Sequence, residues 1–168
     1  MKIETERLVI SRLEIGMAQA LHELSLDEDN RRFVPDEVFE TREEAADTIR
    51  FLLSCYEHGE GPLVYAVSLK DGSLAGYVQA VPLKEGKWEI GYHIGKKYTR
   101  RGFAAEALQA FLPEIFQKLG LSEITGVCLK DNIASIRVLE KCGFEKRFEG
   151  LGDYQGKEKE ICVFTYKK

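Results

Sequence analysis

Several things are scarce in this chain, and each scarcity removes a class of function. No uninterrupted apolar run approaches the ~20 residues of a membrane span, and the opening M-K-I-E-T-E-R lacks the apolar core of a signal peptide. The sequence therefore predicts a protein of the cytoplasm with no membrane partner. The four cysteines, Cys55, Cys128, Cys142 and Cys162, are scattered and form no C-x-x-C pair. They read as buried thiols of a reduced compartment, with no metal site and no disulfide. Basic residues are not in excess: the net charge is −4, which argues against direct nucleic-acid binding. Neither G-x-x-x-x-G-K-[ST] nor G-x-G-x-x-G occurs, which disfavours the common nucleotide-binding folds. What remains is a 168-residue chain, 44% apolar and 31% charged, suited to a single domain over residues 1–168 with a sizeable core.

The informative stretch is W-E-I-G-Y-H-I-G-K-K-Y-T-R-R-G-F-A-A-E-A-L, Trp88 to Leu108. Trp88–Ile94 is rich in aromatic and β-branched residues and predicts a strand. From Ala104 onward, Ala104, Ala107, Leu108, Phe111, Leu112, Ile115 and Leu119 recur at helical spacing. Between them lie Lys96, Lys97, Arg100 and Arg101, then Gly102. A helix start exposes free N–H groups and about half a positive charge, so it attracts phosphate. Gly102 lets a ligand approach the backbone, and the cations add attraction. The turn predicts a pyrophosphate cradle.

Elsewhere Glu6–Leu13 predicts a strand and Gly16–Leu26 a helix. Asp27–Asp36, polar and holding Pro35, predicts a loop. Thr41 and Glu44 form a capping box for a helix that ends by Gly59. Leu63–Leu69 and Leu74–Val81 are strands joined through Asp71-Gly72, a strong hairpin signal. The long helix should stop at Gly120 and kink at Pro113. Glu123–Leu129 is a strand, followed by a helix with Ile136, Leu139 and Cys142 inward. Phe144 opens another strand, Leu151–Gly156 a glycine-bearing turn, and Glu158–Tyr166 the last strand.

Three segments stand in order: E-I-G-Y-H-I, R-R-G-F-A-A-E-A-L and N-I-A-S-I-R-V-L-E-K-C-G-F. With the opening T-E-R-L-V-I-S-R-L, they resemble the GNAT superfamily of N-acetyltransferases over nearly the whole chain, closest to the RimJ/RimL type that acetylates N-terminal α-amines of ribosomal proteins. The fold so implied is α/β, in the α+β sense: a mixed, mostly antiparallel seven-stranded sheet with helices on both faces. Acetyl-CoA would lie where Trp88–Ile94 and Glu123–Leu129, neighbouring parallel strands, splay apart.

The family's phosphate motif falls on Thr99-Arg100-Arg101-Gly102-Phe103-Ala104. Thr99 departs from the usual first residue, and Arg100 stands where many members have glycine. The resemblance implies contacts to acetyl-CoA from Arg100, Arg101, Gly102, Phe103, Ala104 and Ala105, from the strand around Tyr92 and Ile94, and from Asn132 and Ser135. It makes a backbone N–H near Tyr92 to Ile94 the donor to the thioester carbonyl, and Ser135 the proton donor to the departing thiolate. Asn and Ser are equally the residues expected at a helix N-terminal turn.

Glu89 and His93 share a strand face by alternation, so either can relay the amine's proton, unless a bulge breaks the parity. Tyr154 is a further donor. An α-amine has a pKa near ~8, so a weak base or a water suffices. The implied activity is direct acetyl transfer to a primary amine, most simply a polypeptide N-terminal α-amine such as a ribosomal or other protein N-terminus. Small amines (polyamines, amino acids, drugs) and a non-catalytic acyl-CoA sensor are the alternatives. The acceptor walls are expected from the first two helices and the late hairpin.

Overall fold

The computed structural model describes residues 1–168. Its sheet has eight strands, β1 Lys2–Glu4, β2 Leu8–Arg12, β3 Leu63–Leu69, β4 Leu74–Pro82, β5 Trp88–Ile94, β6 Glu123–Leu129, β7 Glu145–Tyr154 and β8 Lys157–Lys167. They lie in the order β1-β2-β3-β4-β5-β6-β8-β7. Only β5 and β6 pair in parallel. The count exceeds the expected seven because β1, three residues too short to carry a pattern, caps the edge of β2.

Alternation along the strands sorts two cores. Leu63, Tyr65 and Val67 of β3, with Val78 and Ala80 of β4, face α4 (Phe103–Leu119), whose Leu108, Phe111 and Ile115 are fully buried. Val64 and Ala66, with Leu74 and Tyr77, face α1 (Ala18–Ser25) and α3 (Arg42–His58). Helices therefore cover both faces, as the apolar spacing requires. The helix α5 (Ile133–Lys141) joins the α4 side through Leu139, with Cys142 buried just beyond it and Ile136 only partly covered.

Three expectations change. Helix α4 starts at Phe103, one residue early, and runs unbroken through Pro113, whose ring faces solvent. The segment expected as a loop holds a helix, α2 (Glu28–Phe33): the Asp27 carboxylate accepts from Asn30 N–H at 2.8 Å, and a 3₁₀ turn follows at Pro35–Glu37. The turn expected at Leu151–Gly156 shrinks to Gln155-Gly156, both at positive φ, because β7 runs on to Tyr154. The alternation expected along β5 holds: its register with β4 is continuous from Pro82↔Trp88 to Gly76↔Ile94, so no bulge separates Glu89 from the face of His93.

Candidate active site

The β5–β6 ladder is short. It pairs Glu89 with Thr125 and Ile90 with Gly126, then ends. Gly95 N–H donates to the Ala75 carbonyl at 2.8 Å. By antiparallel alternation His93, Gly91 and Glu89 also spend their N–H groups on β4. Tyr92 and Ile94 therefore turn their N–H groups toward the gap, beyond the point where β6 supplies partners.

Two cavities open at this gap. One, of about 180 Å³, is bordered by Asn30, Ile94, Lys96, Thr99 and Ala104. The other, of about 270 Å³, is bordered by Glu37, Gln79, Glu89, Asp153 and Tyr154. Both are lined by Val34, Tyr92, Asn132 and Ser135, so they meet at those residues. The second cavity carries three carboxylates and no cation. Its walls correct the expected source in part: α1 and α3 cover the same face of the sheet but contribute no lining residue, and the turn after α2 closes the cavity together with the expected β7–β8 hairpin.

The cationic turn behaves as its residues require. Gly102 caps α4 at φ 79° and ψ 9°, a left-handed conformation natural to glycine. Arg100 adopts φ 61° without that freedom, at the position where the resemblance expects glycine. Arg7 braces the turn from below: it donates to the Arg101 carbonyl at 2.8 Å and to Glu106 Oε2 at 2.7 Å, and lies over the Phe103 ring. Burial alone would raise the Glu106 pKa, but its bonds from Thr5 and Arg7 hold it low. The Arg100 and Arg101 side chains are exposed, whereas Phe103 and Ala105 are buried in the core. Those two can meet a ligand only through their backbone N–H groups.

Glu89 and His93 share a face but not a cavity. His93 Nε2 lies 3.3 Å from the Leu24 carbonyl and 3.8 Å from Asp27 Oδ2, at the join of α1 and α2. Glu89 faces the second cavity. Burial, reinforced by the nearby Glu37 charge, pushes its carboxyl up to about 7. Glu37 was not anticipated. Its carboxylate accepts from the Tyr77 hydroxyl and from Gln79 Nε2 at 2.8 Å, both from β4. The Tyr154 hydroxyl donates to the Phe33 carbonyl and so ties the late hairpin to α2.

At the junction, Tyr92 donates to the Ser135 carbonyl at 3.0 Å, and its oxygen lies 2.9 Å from Ser135 Oγ. Burial raises the Tyr92 pKa, so its hydroxyl keeps its proton. The cap of α5 is Asn132, whose Oδ1 accepts from Ser135 N–H at 3.2 Å. The Ser135 hydroxyl is thus free of capping duty. Cys142 is buried, its thiol pushed up to about 11 by burial, and its Sγ approaches the Ala105 carbonyl at 3.6 Å. It is a packed core residue with no nucleophilic character.

Comparison with known proteins settles the family. The model of the acetyltransferase (GNAT) domain matches residues 7–145. The uncharacterized N-acetyltransferase YnaD of Bacillus subtilis is 31% identical over 148 residues, 87% of this chain and 84% of that protein. This chain belongs to the GNAT acetyltransferases. A GNAT-family acetyltransferase from Bacillus anthracis superposes with a TM-score of 0.82 at 26% identity, over 99% of this chain and 98% of its own. The fold is also that of RimL, a ribosomal L7/L12 alpha-N-protein acetyltransferase in complex with coenzyme A. That likeness has a TM-score of 0.84 at 18% identity, over 99% and 98% of the two chains.

GNAT acetyltransferases draw their acetyl group from acetyl-CoA, and the residues here fit that molecule. The turn offers a helix start among four cations, the edge of β5 offers free N–H groups, and a buried polar atom of α2, Asn30 Oδ1, lacks a partner. A Cβ at Gly102 would meet only Arg7 Nη2, at 3.5 Å, so room is not what confines the position to glycine. The φ is. Gly102→Val should therefore cost about 1–2 kcal/mol of stability and weaken acetyl-CoA binding about tenfold. Gly102→Asn, which tolerates φ > 0, should recover the stability. Calorimetric titration and a thermal melt read both effects, and full affinity in a folded Gly102→Val protein contradicts the cradle.

Proposed function

We propose that residues 1–168 form one catalytic domain that moves acetyl from acetyl-CoA directly to a primary amine, in the cytoplasm, with a polypeptide N-terminal α-amine as the acceptor class. The observation that carries this reading is the meeting of the two cavities at Ser135 and Tyr92, beside the open edge of β5. The first cavity takes acetyl-CoA, which supplies the acetyl group as a thioester. The second takes the amine.

In this reading one of the two open-edge N–H groups, Tyr92 or Ile94, holds the carbonyl oxygen as a preorganised donor, and the other, about 6.6 Å along the strand, is left for the arm of the cosubstrate. Glu89 accepts the ammonium proton; with a pKa near 7 it is half ionised at neutrality and so well matched to the task. His93, held in the other cavity, braces the join of α1 and α2. Ser135 Oγ gives its proton to the departing sulfur and recovers one from the second proton that the amine sheds on becoming an amide, while Tyr92, which keeps its own proton, holds Ser135 in place. Three carboxylates without a cation repel an acceptor whose amine sits beside a carboxylate, so free amino acids are disfavoured. A peptide N-terminus, whose neighbour is a neutral carbonyl, is not. The likeness of fold to RimL supports the same acceptor class, a ribosomal or other protein N-terminus.

The test is acetyl transfer to a panel of free and N-blocked peptides, polyamines and amino acids. Turnover confined to peptides with a free N-terminus is expected. Turnover of polyamines alone would assign a small-molecule acceptor, and none with any amine would overturn the reading. Ser135→Ala should lower kcat about tenfold to a hundredfold, since a thiolate leaves readily and needs only partial help, while acetyl-CoA affinity stays near its original value. Because Asn132 is the cap, the melt should hardly move. Full kcat would remove Ser135 from the mechanism.

A further inference from the structure

One buried atom is unsatisfied, Asn30 Oδ1, and its residue borders the cavity assigned to acetyl-CoA. Asn30 is 1% exposed. Its Nδ2 donates to the Ser25 carbonyl at 3.0 Å and the Glu37 carbonyl at 3.1 Å. Two carbonyl partners fix which end of the amide is nitrogen, since only an N–H serves both. Oδ1 is left with no partner. A buried acceptor without a donor is destabilising, and a ligand N–H would lift that cost.

The position of Asn30 says which N–H. The cavity it borders has Lys96, Thr99 and Ala104 at the phosphate turn and Tyr92 and Ser135 at the junction. A molecule with phosphates at one end and a thioester at the other spans that distance with its pantetheine arm. The arm holds two secondary amides, each with one N–H to place. The open edge of β5 can serve one side of the arm, and Asn30 comes from α2, outside the sheet.

We propose that Asn30 Oδ1 accepts a pantetheine amide N–H and is a positioning residue for acetyl-CoA. This rests on the acetyl-CoA reading of the same cavity. Because the same side chain holds the Glu37 carbonyl, one amide then links the cosubstrate to the segment that walls the amine cavity.

A binding cycle tests it by calorimetry. Coenzyme A is compared with two analogues, each with one pantetheine amide replaced by an ester, in the original protein and in Asn30→Ala. With one analogue the original protein should lose about fivefold to tenfold in affinity. Asn30→Ala should show no further loss with that analogue. Losses that multiply for both analogues would overturn the proposal while leaving the acetyl-CoA reading intact. No binding of coenzyme A at all would overturn both. Asn30→Ala also gives up two structural bonds, so a second measurement avoids substitution. The Asn30 carboxamide carbon, followed by NMR in the original protein, should shift downfield when coenzyme A binds, and an unmoved signal in the saturated complex counts against the bond.

Discussion

Glu89→Gln should cut kcat by about 10² to 10³, within the usual worth of a positioned general base. It should also change the pH profile. In the original enzyme the base works only when ionised, so activity should fall about tenfold per pH unit below its pKa near 7. The glutamine variant should lose that limb and keep only the one set by the amine's own proton. Glu37→Gln, which removes the neighbouring charge, should move the limb to lower pH. Stability should run the other way. The Glu89 pKa is raised on folding, so the native state holds a proton that the unfolded chain releases, and stability is lost as pH climbs from the unfolded value toward 7. At pH 8 the buried charge is a cost that glutamine removes. A shift from 4.5 to about 7 corresponds to about 3 kcal/mol, and the partial contact of this carboxylate with water reduces the expected gain to about 1–2 kcal/mol. A slower but more heat-resistant variant at pH 8 is the outcome to look for. Unchanged kcat with an unchanged acid limb would leave the base to a water.

Gly76→Ala should be the most damaging single-methyl change. A Cβ there would stand 1.9 Å from the His93 carbonyl oxygen and 3.0 Å from Ile94 Cα, both backbone atoms of the next strand. No rotamer relieves that clash, so β4 and β5 must part where β5 turns its N–H groups to the gap. A loss of about 3 kcal/mol or more is expected, read as a melt lowered by more than ten degrees. Any folded remainder should bind acetyl-CoA poorly. An unchanged melt would mean the strands tolerate a wider separation than their register suggests.

The reason some features were legible in the chain and others were not is physical. The strand at Trp88–Ile94, the cationic turn and α4 announce themselves through local composition and period. The open edge of β5 does not: it is expected only from the resemblance, because every strand residue carries an N–H and composition does not say which are left unpaired. Helix α2 does not, because its six residues bury only Asn30 and leave no apolar stripe. Its signal was electrical: Asp27 at the cap, Glu28 and Asp29 in the first turn, Arg31 and Arg32 in the last. Glu37 was hidden because its partners, Tyr77 and Gln79, lie about forty positions away. The β7 strand was shortened by reading Gly152 as a turn residue. Its real duty is to make space, since a Cβ there would sit 2.5 Å from Ile161 Cδ1. Asn132 and Ser135 could not be told apart as cap and reagent until the Ser135 hydroxyl was seen to point at Tyr92 rather than at the helix end.

The segment Phe33–Glu37 and the tip of the late hairpin wall the second cavity through few ties. They are the Tyr154 hydroxyl on the Phe33 carbonyl, the Glu37 carboxylate on Tyr77 and Gln79, and the Asn30 amide on the Glu37 carbonyl. The bond-making edge, by contrast, lies in the interior of the sheet, where neighbouring backbones leave no room for new atoms. Inheritance can therefore act on the two separately. Changes at Asp153 and Gln155, which line the second cavity and not the first, should alter which amine is admitted without disturbing Tyr92, Ile94 or Ser135. A library confined to those two positions is the shortest route to a transferase with a different acceptor.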